Sequence, residues 1–139
     1  MIKLLGLADI RDWLKTLKYT ASENCYIGKL DNKKDKSIGV YQLKTSNESN
    51  VAIGGIDNTK TMEKSVSILI HWNTNAKETE QKSYEIYNEL LNAKNFIINE
   101  IKRTYIKLLV PEPVDVGTDS KNIYERVIQA TFYYEKKEE

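Results

Sequence analysis

Cysteine and histidine are nearly missing from the 139-residue chain, with Cys25 and His71 the single instance of each. One thiol cannot close an intramolecular disulfide, and one thiol with one imidazole cannot complete a tetrahedral zinc site. Disulfide scaffolds, zinc fingers and histidine metal clusters are therefore excluded. Long apolar runs are lacking too. Leu108–Leu109–Val110 is among the longest, against the roughly 20 residues that a membrane span requires. The apolar start at Met1–Gly6 is broken by Asp9, Arg11 and Asp12, before a signal peptide's apolar segment can form. A cytoplasmic, reduced and soluble protein is expected. Neither charge is in excess, because 21 Lys and Arg oppose 20 Asp and Glu for a net +1. No global positive field draws the chain onto DNA or an anionic membrane. Strings of the form GxxxxGK[ST], GxGxxG, HExxH and GxSxG are also absent, so phosphate cradling, dinucleotide binding, zinc proteolysis and α/β-hydrolase chemistry have no motif behind them.

What remains is an ordinary globular composition, 40% hydrophobic and 29% charged, and the length suits one domain spanning residues 1–139. Ile10, Trp13, Leu14 and Leu17 recur at three and four residues and predict a helix over Asp9–Leu17, with Asp9 as its N-cap. Asn24–Leu30 and Ser37–Leu43 read as two strands of a hairpin, joined through the polar Asp31–Lys36 tip. Lys44–Lys64 is rich in Ser, Asn, Thr and Gly, holds the turn-like Gly54–Gly55, and predicts a long loop with a short strand at Val51–Ala52–Ile53. Val66, Ile68, Ile70 and Trp72 alternate with Ser67, Leu69 and His71, which predicts a strand over Ser65–Trp72 with one core face. Asn75 and Glu78 resemble a capping box ahead of a long helix over Ala76–Ala93, whose stripe is Tyr84, Tyr87, Leu90 and Leu91. Thr104–Val110 and Asn122–Glu135 read as strands, with Val114–Asp119 as the turn between them. The expected fold is α+β: two helices packed on a largely antiparallel sheet with an extended hairpin.

Little in this pattern suggests catalysis. Cys25 and His71 lie on predicted strands without a nucleophile motif, and read as a small buried thiol and a half-exposed strand imidazole. Glu112, Asp115, Asp119 and Glu125 offer oxygen ligands for Mg²⁺ or Ca²⁺, but their spacing matches no EF-hand. Turn hydrogen bonds for Asp115 and Asp119, and ion pairs for Glu112 and Glu125, account for them more simply. Lys33, Lys34 and Lys36 are interleaved with Asp31 and Asp35 and read as a solvated tip. The nine tyrosines suit a sheet surface or a subunit interface.

The succession Gly54–Gly55, Ile70–His71–Trp72–Asn73, Tyr84, Ile86, Tyr87 and Leu90, the turn Pro111–Asp119, Ile123–Ile128 and Phe132–Tyr133–Tyr134 resembles the phage minor capsid family of tail terminator proteins. The resemblance spans about Val51 to Tyr134, and its most specific piece is Pro113–Asp119 leading into Tyr124–Arg126. It implies a structural, non-enzymatic virion subunit with no cofactor. Such a subunit forms a ring, typically a hexamer, that caps the head-proximal end of a tail tube, halts its polymerisation and offers a head-tail joining surface. The partners implied are further copies of the chain, the tail tube protein, the sheath protein and the head-tail connector. Neither a membrane nor sequence-specific nucleic acid is implied, although genome DNA can pass through the ring. A phage, a prophage or a headless tail-like particle (tailocin) would suit equally, with assembly in the bacterial cytoplasm. The family's recurrent turn residues fall on Asp115, Gly117, Asp119, Glu125 and Arg126, as subunit interface or structural turn. Gly117 can take a positive φ, Asp119 can cap the turn, and Glu125 and Arg126 point to opposite faces of a strand. Another neck component, such as a head-completion or stopper protein, and a small metal-dependent enzyme built on the carboxylate turn are the alternative expectations.

Overall fold

The computed structural model describes residues 2–28, 34–43, 53–55 and 60–138. Its elements in chain order are β1 (Ile2–Lys3), α1 (Leu7–Thr16), a 3₁₀ turn (Ser22–Asn24), β2 (Cys25–Ile27), β3 (Ser37–Gln42), β4 (Thr61–His71), α2 (Ala76–Asn92), β5 (Lys94–Ile98), β6 (Ile101–Leu108), β7 (Val114–Thr118), β8 (Tyr124–Glu135) and β9 (Lys137–Glu138). The main sheet runs β2-β3-β4-β8-β6-β5, with β7 pairing only with β8, while β1 and β9 form a small separate ribbon. The class is α+β as expected, and every pairing in the sheet is antiparallel except β2 with β3.

The core follows from the alternation of the two long central strands. Val66, Ile68 and Ile70 on β4 oppose Ala130, Ile128 and Arg126 on β8, so these side chains share the face on which the helices lie. Ile10 and Leu14 of α1 and Ile86 and Leu90 of α2 are buried in the same cluster. Trp13 stacks on Phe96 at 4.5 Å and meets Phe132 edge-on at 5.9 Å, which ties α1 to β5 and β8.

Several expectations are corrected. Helix α1 begins at Leu7 with Gly6 as its N-cap, and Asp9 is instead the third helical residue, whose Oδ2 accepts the Gly6 N–H at 2.9 Å. The carboxylate still satisfies a free N–H of the first turn, from one turn inside the helix. Strands β2 and β3 are not a hairpin but pair in parallel, with Cys25 opposite Ile38 and Ile27 opposite Val40. Tip composition carries no information on strand direction. Here Gly28, at φ 71°, leads the chain out of β2, and β2 packs beside α1.

The expected loop over Lys44–Lys64 ends too late, since β4 begins at Thr61; its residues 44–52 and 56–59, with the start of the Val51–Ile53 island, lie outside the described residues. So does the hairpin tip as far as residue 33. Asn75 does cap α2, accepting the Glu78 N–H at 3.1 Å, although the Glu78 carboxylate accepts from Asn73 Nδ2 rather than returning to Asn75. The buried stripe of α2 is Thr79, Ser83, Ile86 and Leu90. Tyr84 and Leu91 point outward instead, because small side chains let the first half of the helix approach the sheet, and their hydroxyls bond the Asn75 and Glu80 carbonyls of α2.

Candidate functional site

The segment from Pro111 to Arg126 is organised by β8. Strand β6 pairs with β8 only over Ala130–Tyr133, which leaves the first turn-proximal residues of β8 without a partner on that side. The chain leaves the ladder after Leu109, whose N–H still reaches Gln129 O at 2.9 Å. It bulges out through Pro111 and Pro113 and rejoins β8 as β7. Tyr87 Oη holds the bulge by donating to Val110 O at 2.7 Å. Val114–Asp119 is thus not a simple turn between strands. Its first five residues are a strand, paired from Val114 with Val127 to Thr118 with Tyr124.

Within that strand the register slips between Asp115 and Gly117. Gly117 takes φ 92°, and its N–H donates to Asp115 Oδ1 at 2.8 Å, which is how a bulge with one unpaired residue is stabilised. The turn that follows is built around Asp119. Its Oδ1 accepts the N–H groups of Lys121 at 2.8 Å and Ile123 at 3.0 Å. Its Oδ2 lies 2.7 Å from His71 Nε2.

His71 was expected to be half-exposed on the outer side of β4, but it is fully buried. The β8 residue facing it in register is Glu125, and the Asp119 turn folds over both. His71 Nδ1 is buried and has no hydrogen-bond partner among the described residues. This leaves the Nε2–H donated to Asp119 as the ring's one hydrogen bond among the described residues. Burial pushes the Asp119 carboxyl up, but the hydrogen bonds from His71, Ile123 and Lys121 outweigh it and hold the acid below its ordinary value. Glu125, whose carboxylate accepts no hydrogen bond among the described residues, is pushed up by burial and by Asp119, and His71 offsets only part of this.

Glu125 and Arg126 do point to opposite faces. Arg126 lies on the helix side, where its guanidinium meets Glu80 Oε2 of α2 at 3.2 Å. Asp115, Gly117 and Asp119 form the bulge and turn at one end of the sheet, beside Glu125 and Arg126 of β8. The His71 contact was not legible in the sequence, because 48 residues separate it from Asp119.

Cys25 and His71 are not brought together. Cys25 lies opposite Ile38, and His71 opposite Ser37, on the other side of the pleat. Burial raises the Cys25 thiol against the lowering effect of Lys15 and Arg11, which is the opposite of nucleophile activation. Among the described residues no group of three or more His, Cys, Asp and Glu side chains is placed to hold a metal ion.

At the other end of β8 lies a feature that sequence reasoning missed. A trough of about 780 Å³ is lined by Lys60, Lys94, Arg103 and Lys136, with Tyr105 in its wall and Glu135 beside Arg103. Tyr105 stacks on Tyr133 at 5.0 Å. The four cations come from separate segments, so no local charge run marks them.

A family model described as bacteriophage tail terminator protein matches residues 1–136. No curated protein and no solved structure matches the chain.

Proposed function

The chain belongs to the bacteriophage tail terminator family, and from that membership we propose that it is a structural ring subunit closing the head-proximal end of a tail tube. The observation that carries this reading is the extent of the match, residues 1–136, which takes in both helices and the whole main sheet. In this role the subunit assembles with its own copies, typically six, in the bacterial cytoplasm. It stops tube polymerisation by occupying the growing end and offers its outer side to the connector of the head.

The chemistry of the chain supports a structural part over an enzymatic one. Asp115 and Asp119 hydrogen-bond within the bulge and turn, and the one thiol is pushed toward the neutral form. Strand β7 supports an assembling surface: every residue in it is exposed, among the described strands it pairs only with β8, and Val114 and Val116 are 45% and 50% exposed. An edge of this kind, left unpaired in a free subunit, is a template for another chain. In this reading Asp115 and Gly117 shape the contacting edge, and Asp119, Glu125 and Arg126 hold it in place.

The test is native mass spectrometry of the purified protein together with electron microscopy of tail tube protein polymerised in its presence. A hexamer, and tubes of limited length carrying a ring at one end, are the expected results. A strict monomer that leaves tube length unchanged overturns the proposal.

A further inference from the structure

We propose that the basic trough at the Tyr133–Glu135 end of β8 receives the β7 edge of a second copy, joining subunits head to tail. This rests on the ring reading above and assigns that ring its two contacting surfaces. The trough gathers Lys60, Lys94, Arg103 and Lys136 against the single carboxylate of Glu135 among its described lining residues. Strand β7 and the bulge before it expose Glu112 and Asp115 beside Val114 and Val116.

The two surfaces lie along one strand. β7 pairs with β8 up to Val127, whereas the trough begins near Tyr133, roughly 20 Å further on at the rise of a β-strand. A patch and its complement at separate places on one molecule define a heterologous interface, which closes into a ring when the rotation allows. The net charge of +1 does not show this local polarity, which rests on Glu112 and Asp115 at one surface and on the trough cations at the other. The contact chemistry also matches. Tyr105, 46% exposed and held flat against Tyr133, gives Val114 and Val116 an aromatic floor, while Lys94 and Arg103 face Glu112 and Asp115. Tyrosine and arginine at the centre with charged groups around them is the usual composition of an interface.

A charge-exchange experiment on the full chain tests this. One variant carries Glu112→Lys and Asp115→Lys, so that both ends are basic; the other carries Lys94→Glu and Arg103→Glu, so that both are acidic. Each alone should lose self-association, with the apparent Kd rising roughly tenfold or more per reversed charge. An equimolar mixture should recover an alternating ring by native mass spectrometry. Far-UV circular dichroism checks folding, and Asp115→Asn, which keeps the acceptor for Gly117 N–H, replaces Asp115→Lys if the bulge is lost.

If the wild type assembles and either variant alone assembles as well, the trough is not the receiving surface, and only this inference falls. A wild type that stays monomeric and leaves tail tubes unaltered removes the ring reading and this inference together. Fluorescence anisotropy with a duplex DNA oligomer covers the other anionic occupant. Loss of DNA binding in the Lys94→Glu, Arg103→Glu variant, with assembly unchanged, would assign the trough to phosphate and overturn the proposal.

Discussion

The Asp119 carboxylate accepts hydrogen bonds from the N–H groups of Lys121 and Ile123 and from His71 Nε2. Removing it takes the acceptor from all three, one of them on a fully buried ring that water does not reach. Asp119→Ala should therefore cost on the order of 3 kcal/mol of unfolding free energy in urea titrations. The sign of its pH dependence follows from the lowered pKa. A carboxylate held below its unfolded value contributes stability that is present above the ordinary Asp pKa near 4, and that stability is lost as pH falls through the folded value. The stability gap between wild type and Asp119→Asn should accordingly narrow as titrations move from pH 7 toward pH 3; a constant gap would remove Asp119 as its source. At Gly117 an added Cβ would meet nothing within 4 Å, so only the φ of 92° opposes substitution. Gly117→Ala should cost about 1–2 kcal/mol in thermal melts.

Among the elements, α1 depends on Trp13, whose ring bridges Phe96 and Phe132. Trp13→Ala should destabilise by about 3–5 kcal/mol, whereas Leu91→Ala, at a side chain 57% exposed, should stay within about 0.5 kcal/mol. The same chemical scans that show a large loss for Leu91 would contradict the observed face of α2. The two helices and the strands β3, β4, β6 and β8 were readable because each repeats its apolar residues at its own period, as Val66, Ile68 and Ile70 do. Strand β5 carries bulges at both register steps with β6, which erases the alternation by which it would have been recognised. Strand β7 reads as a turn because Gly117 and Asp115 are turn residues, yet the free edge of a twelve-residue β8 recruits it into the sheet.

For the whole molecule, the polarity between the β7 end and the basic trough predicts a salt-sensitive assembly. Raising the ionic strength from about 0.05 M to about 0.5 M shortens the Debye length from about 14 Å to about 4 Å, so light scattering should report a smaller assembled fraction at the higher salt. A fraction independent of salt would point to an interface made by apolar contacts alone. Arg126 provides the contrast. Its partner Glu80 is on the same subunit and half-exposed, so Arg126→Ala should lower subunit stability by about 1 kcal/mol or less, and circular dichroism beside the sizing run separates this from any loss of assembly.

The α+β class, the two helices and the long central strands were determined by the sequence itself, because periodicity and capping are local properties of the chain. So was the want of a disulfide framework or a histidine metal cluster, which simple counting decides. Tertiary structure alone decided the parallel pairing of β2 with β3, the burial of His71 beneath Asp119, and the gathering of Lys60, Lys94, Arg103 and Lys136 around Tyr105. Each of these depends on which strand lies beside which. That choice is made by burying the apolar faces together, and the charges and turns far apart in the chain are carried into contact by it.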